Sequence, residues 1–222
     1  AGLTEFQVSV GQVDYYKSLL AEADLEPEIE EHLRELISQK NYFGVEELLK
    51  GQNLGENLSK AFSELPQMFG SAEVLEKAKK LTSNPEALSA VKRLEEIYEI
   101  LKVYGCEKYI AFDFGMLSKF RYYTGIIFQA YTYGTGEPLI KGGRYNELMK
   151  HFGKPASSIG FAIVVDNLML ALSRQKLTVP SGDKTVVITY APGELKKAIQ
   201  EAITLRGEGK KVALCPKKEE QE

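Results

Sequence analysis

The sequence predicts an α+β fold, and three features of its 222 residues carry that expectation: apolar alternation at the start, helical periodicity from residue 14 to about residue 103, and renewed alternation beyond Gly105. Phe6, Val8 and Val10 alternate with Glu5, Gln7 and Ser9, the period-two pattern of a half-buried strand. A strand needs partners and few residues precede this one. The start is therefore expected to belong to a longer protein with further sequence on its N-terminal side.

The helical part follows. "DYYKSLLAEADL" and "EPEIEEHLRELISQKNYFGVEELLKG" carry apolar residues at steps of three and four, for instance Ile29, Leu33, Leu36 and Ile37, with charges between them. Pro27, Gly51, Gly55, Pro66, Gly70 and Pro85 punctuate the block. Ser71 and Asn84 read as N-caps before "AEVLEKAKKL" and "PEALSAVKRLEEIYEILKVYG". About five helical elements result, with Glu28, Glu30, Glu31 and His32 on a solvated face.

Strands return after Gly105. "YIAFDFG" alternates and stops at glycine, while "GIIFQAYTYG", the turn "GTGE" and "PLIKGG" read as an antiparallel hairpin. "YNELMKHFG" is a short helix closed by Gly153, and the mostly apolar "SSIGFAIVV" is expected to be a central strand leading into the helix "DNLMLALSRQ". After the linker "VPSGD", the stretches "KTVVITYA", "GELKKAIQEAITLRGEG" and "KKVALC" spell one β-α-β unit that stops at "PKKEEQE". One such unit buries too little surface to stand alone, so this end is also expected to be incomplete.

Composition removes several classes of function. The 28 basic and 31 acidic residues are interspersed and leave a net charge of -3, so no basic stripe tracks a nucleic-acid backbone. Cys106 and Cys215 lie far apart, and His32 and His151 are the only histidines, which supports neither a disulfide framework nor a four-ligand zinc site. No apolar run approaches a membrane span, and the start lacks the pattern of a signal peptide. A reducing, cytoplasmic setting is expected. No cofactor is called for.

The chemistry concentrates in "YYTGIIFQAYTYGTGEPLIKGGRY", residues 122–145, with five tyrosines and five glycines. One reading makes Tyr122, Tyr123, Tyr131 and Tyr133 sheet residues with half-exposed rings and the glycines turns. The other assigns a pocket. Gly142 and Gly143 remove two side chains in succession, Arg144 sets a guanidinium beside that opening, and Tyr122 and Tyr123 offer phenols to a small polar ring. The combination suits a small zwitterion. It does not suit a hydrolase, since Ser118, Ser157 and Ser158 have no GxSxG context.

"YYTGIIFQAY", "GEPLIKGGRYNELMKHFG" and "SSIGFAIVVDNLMLAL", in this order, resemble the histidine-specific motifs and the third class II motif of histidyl-tRNA synthetases. They resemble still more the regulatory subunits of ATP phosphoribosyltransferase, catalytically silent relatives of those enzymes. With "LTEFQVSVGQVDYYKSLL" and "NYFGVEELL" the likeness covers roughly residues 3–175. It implies a class II synthetase-like antiparallel sheet with helices: residues 1–175 as the C-terminal part of that core with the helical block at about 14–103, a linker at 176–183, and an incomplete C-terminal α/β domain at 184–222. The first two class II motifs would precede residue 1.

The same resemblance separates enzyme from regulator. Adenylation needs positioned cations for the developing charge. The synthetase pattern "RGLDYY" reads "SKFRYY" here, placing Ser118 at an arginine position and Arg121 at the aspartate; Asn167, after Asp166, stands at the third-motif arginine; and Gln129 stands at an acidic position. Lys119 or Arg121 does not substitute readily, because a one-residue shift on a strand points to the opposite face. Ser118 and Asn167 are thus read as lost catalytic positions. The resemblance implies a non-catalytic regulatory subunit that partners the short-form ATP phosphoribosyltransferase in the first step of histidine biosynthesis and confers histidine control. Self-association as a dimer is expected, with histidine as ligand of a pocket comprising Tyr122, Tyr123, Thr124, Gln129, Gly142, Gly143, Arg144 and Tyr145. A histidyl-tRNA synthetase core fragment and a stand-alone amino-acid sensor are the alternatives.

Overall fold

A computed structural model describes residues 3–117, 122–177 and 185–217. The chain divides into two compact units, Ala1–Leu177 and Thr178–Glu222. The first contains strand β1 (Phe6–Gln12), helices α1 (Val13–Ala23), α2 (Pro27–Ser38), α3 (Tyr42–Lys50) and α4 (Glu56–Glu64), the two-residue β2 (Phe69–Gly70), then α5 (Glu73–Lys80) and α6 (Pro85–Val103). Strands β3 (Ile110–Asp113), β4 (Ile126–Thr132), β5 (Ile140–Arg144) and β6 (Ile159–Ile163) follow, closed by α7 (Val165–Arg174). The helical block therefore has six α-helices among the described residues rather than about five.

The strands form one sheet in the order β2-β3-β1-β4-β5-β6. Among the described strands of this sheet only β1 and β3 pair in parallel; β4 runs antiparallel to β1 from Phe6 opposite Thr132 to Gln12 opposite Ile126. Both neighbours of β1 come from later in the chain, so its alternation does not by itself call for upstream strands. The face bearing Val10 and Phe112 packs under the helices, where Tyr15, Leu19, Leu33, Ile37, Phe62 and Leu94 are almost wholly buried. Burial raises the phenol pKa of Tyr15 and, with help from Glu30, that of Tyr16.

Local signals act as their chemistry dictates, with two exceptions. Asn84 caps α6: its Oδ1 accepts from the backbone N–H groups of Glu86 and Ala87, and Pro85 takes the first helical position. Gly153 closes the Leu148–Phe152 turn at φ 75°, although that turn is a 3₁₀-helix. Ser71, in contrast, does not cap α5; its hydroxyl bonds the Glu73 carboxylate, and Ala72 holds the cap position. The second exception is the stretch 157–165. Its strand, β6, lies at an edge among the described strands and not in the centre, and Ile159, Phe161 and Ile163 are 68%, 64% and 49% exposed. Apolar composition alone does not separate a strand buried on both faces from one at the margin.

The second unit is the β-α-β element read from the sequence: β7 (Val186–Tyr190) and β8 (Val212–Pro216) pair in parallel, joined by α8 (Leu195–Gly207). Among its described residues only Ala198 and Ala202 are buried. The linker "VPSGD" lies outside the described residues.

Candidate functional site

Strand alternation sorts the residues of the tyrosine-glycine stretch. Gly143 lies opposite Ile127 and Gly160, and Gln129 lies opposite Ser9 and Lys141, all on the sheet face turned away from the helical core. Gly142, Phe128 and Arg144 belong to the other face. The residues expected to form one pocket are therefore divided between two surfaces.

On the outer face the glycines accommodate the chain's own rings. A Cβ on Gly143 would lie 2.7 Å from two ring carbons of Tyr123, and one on Gly160 would lie 2.6 Å from the Tyr145 hydroxyl. Tyr122 packs on Tyr123 with ring centroids 4.5 Å apart and meets Tyr145 edge-on at 6.0 Å. Burial first, then the hydrogen bond with Tyr122, pushes the Tyr123 phenol up to about 12. Farther along the strand, the Tyr131 hydroxyl donates to Gln129 Oε1 at 2.5 Å. Burial and the nearby carboxylate of Asp113 raise the Tyr131 pKa. This face presents phenols and the Gln129 carboxamide beside Lys141, with no acidic group at the Gln129 position.

Gly142 behaves similarly on the inner face. A Cβ there would meet the Gly160 carbonyl, Phe161 Cβ and Phe128 Cζ at 2.6–2.7 Å. The pair of glycines thus permits close packing by the protein itself, which differs from the opening toward a ligand that the sequence suggests.

Arg144 points into different surroundings. Its Nε donates to Asn146 Oδ1 at 3.0 Å and its Nη2 to Ser157 Oγ at 3.5 Å. It borders a cavity of about 970 Å³ between the start of α1, the start of α6 and the sheet, along with Gln12, Asp14, Glu86 and Thr124. Thr124 joins the two surfaces: its N–H donates to the Arg144 carbonyl at 2.8 Å and its Oγ1 accepts from the Asn146 N–H at 2.9 Å. Gln12, Asp14 and Glu86 were not singled out by sequence reasoning. Glu86 meets Gln12 and Asp14 through the packing of α6 on α1, and the sole local signal was the start of α1, where Gln12 Oε1 accepts from Asp14 N–H.

Asn167 sits in the first turn of α7, and its Nδ2 donates to the Pro138 carbonyl at 3.2 Å. A neutral amide there ties the helix to the hairpin. Ser118, with Lys119 and Arg121, lies outside the described residues.

A mostly antiparallel sheet backed by helices, with an insertion between its first and later strands, defines a class II aminoacyl-tRNA synthetase-like protein. The family model for histidyl-tRNA synthetase matches residues 1–168, and the chain belongs to that family. Within it, the chain is similar to ATP phosphoribosyltransferase regulatory subunits. That of Thermoanaerobacter sp. (strain X514) is 40% identical over 213 residues, covering 96% of this chain and 56% of the relative. That of Acetivibrio thermocellus is 36% identical over 208 residues, covering 94% and 50%. The solved structure of an ATP phosphoribosyltransferase regulatory subunit/histidyl-tRNA synthetase from Bacillus halodurans C is 30% identical, with a TM-score of 0.71, over 97% of this chain and 55% of that one. The chain spans about half the length of the curated relatives it matches.

Proposed function

We propose that this chain is part of a non-catalytic regulatory subunit of ATP phosphoribosyltransferase. The observation that carries the reading is Asn167. At the position where the synthetase pattern has an arginine, a neutral side chain is committed to the Pro138 carbonyl, and the relatives carry the name of regulatory subunits. Loss of one oriented donor to a developing negative charge costs on the order of 10² to 10³ in rate. With Ser118 at the other arginine position, adenylation has neither cation. The subunit would instead bind a short-form catalytic subunit, favour one of its states, and let histidine shift that balance through a difference in affinity.

Histidine would be read on the outer face by Tyr122, Tyr123, Gln129 and Tyr145, with Gly143 giving the rings their seat and Thr124 holding the backbone. Gly142 and Arg144 would support that layer from behind. Self-association as a dimer and a cytoplasmic setting complete the proposal. No described helix is long and apolar enough to cross a membrane.

The test mixes the full-length parent protein with a short-form ATP phosphoribosyltransferase from the same source. The expected result is a complex on size exclusion, increased activity, and inhibition by histidine, with no histidine-dependent exchange of pyrophosphate into ATP by the parent alone. Exchange at synthetase-like rates, or unchanged kinetics with no complex, overturns the reading.

A further inference from the structure

The cavity beside Arg144 has features of a binding site, although it shares only Thr124 and Arg144 with the residues singled out from the sequence. Its floor is a row of the inner sheet face, Gln12 beside Ile126 on paired strands and Arg144 beside Ile159 on the next pair. Its walls are the start of α1 and the first half of α6, which contribute Asp14 from α1 and Glu86 and Arg93 from α6. A volume of about 970 Å³ lies at the upper end of the range for small-molecule sites, roughly 300–1,000 Å³.

Gln12 points to a ligand independently of the helix ends. The side chain is 6% exposed, and its Oε1 accepts the Asp14 N–H at 3.2 Å. No hydrogen bond from its Nε2 is found among the described residues, and Gln12 borders the cavity. An incoming acceptor can take that N–H in place of water. Arg144 is similarly half used: Nε and Nη2 have protein partners, and Nη1 has none among the described residues.

We propose that this cavity binds a small zwitterion of the amino-acid type, with its carboxylate on Arg144 and the Gln12 amide and its ammonium toward Asp14 and Glu86. Charge placement selects the class. Donors occupy the sheet floor and carboxylates the helix walls, so a simple anion meets two like charges and a simple cation meets a guanidinium. Arg93 also lines the α6 wall, and its guanidinium is shared with Glu96 at 2.9 Å along the helix. Ala90, Ile97, Ile126 and Ile159 supply an apolar lining for a hydrophobic side chain. The site is separate from the tyrosine face, and the inference stands whether or not histidine binds there.

Occupancy would be communicated to that face through the backbone. The Val13 N–H donates to the Gly125 carbonyl at 3.0 Å, Thr124 and Arg144 share a bond, and Lys17 Nζ donates to the Tyr123 carbonyl at 2.9 Å. Thr124, Gly125 and Arg144, which border the cavity, are thus bonded into the backbone beside the rings.

The experiment is a ¹H–¹⁵N NMR titration of the chain with L-phenylalanine, beside 3-phenylpropionate, which has only the carboxylate, and 2-phenylethylamine, which has only the ammonium. The expected result is saturable movement of the amides of Ser89, Gly125 and Asn146 with the amino acid alone. Ser89→Trp, which fills the cavity from α6 without touching the hydrogen-bond network, should abolish it, and Glu86→Gln should weaken it about tenfold, as expected for losing a bond to a charged group. No movement with L-phenylalanine, equal movement with either control, or movement that survives Ser89→Trp overturns the proposal. Spectral dispersion of each variant, compared with the parent chain, shows that a lost response is not a lost fold.

Discussion

The two faces of strands β4 and β5 are made of neighbouring residues and perform opposite tasks. Outward, Gly143 and Gly160 make room for Tyr123 and Tyr145, and the surface is closed by rings. Inward, Arg144 and Gln12 leave donors at the edge of an open cavity. Three consecutive residues, Gly142, Gly143 and Arg144, read as a unit in the sequence but serve both surfaces. The difference shows that a motif on a strand describes two sites unless its residues are two apart.

The comparison is most easily broken at Gly143. Gly143→Val should cost about 1–3 kcal/mol by overpacking, because the new Cβ meets both the Tyr123 ring and, at 2.9 Å, the backbone oxygen of Ile126. Chemical denaturation gives the cost, and a reduced near-UV circular dichroism signal should accompany it. A neutral result would mean that the rings do not sit against the glycine.

Histidine response sharpens the division of labour. In the assembled complex, Tyr123→Phe should weaken histidine binding roughly two- to tenfold, the loss of one neutral hydrogen bond of about 0.5–1.5 kcal/mol. Arg144→Ala should leave it within about twofold, since the guanidinium is on the other face. Calorimetric titration reads both. The reverse order of effects would place the histidine carboxylate on Arg144.

A smaller effect belongs to the helix wall of the cavity. Asn84→Ala removes the α6 cap together with the Nδ2 bonds to Glu22 and the Ser18 carbonyl, and should cost about 1 kcal/mol in denaturant unfolding. The tyrosine layer should be unchanged in near-UV circular dichroism.

The mildest test is pH. The Tyr123 phenol is pushed up to about 12, so the folded state favours its neutral form. Its stabilisation is complete below the ordinary tyrosine pKa near 10 and is lost as pH rises through about 12. Tyr123→Phe should reduce that alkaline loss and diminish the phenolate absorbance step near pH 12. Tyr15 and Tyr16, raised by burial, contribute to the remaining loss.

The fold was legible where short-range chemistry decides it. Asn84 before Pro85, Gly153 after its turn and the hairpin around residues 134–137 required only neighbours. Sheet order was not legible, because it depends on which distant strands meet. The parallel pairing of β1 with β3 across the whole helical block and the marginal place of β6 left no local trace. The site was half legible. Residue types in the tyrosine-glycine stretch announced an unusual surface, but the sequence grouped Gly143 with Arg144, which the strand register places on opposite faces. Gln12, Asp14 and Glu86 had no signal that could join them, since their proximity is a product of the packing of α6 on α1.

The position of β1 also orders events during synthesis. It leaves the ribosome before both of its partners, which start at Ile110 and Ile126. At translation rates of about 5–20 residues per second, that first strand waits roughly 5–25 seconds for its second neighbour. The helices encoded in between close on local contacts during the delay. An apolar strand with two open edges is then exposed to other nascent chains. Slowed elongation through the helical block should accordingly lower the soluble yield, and a chaperone that shields extended segments should restore it.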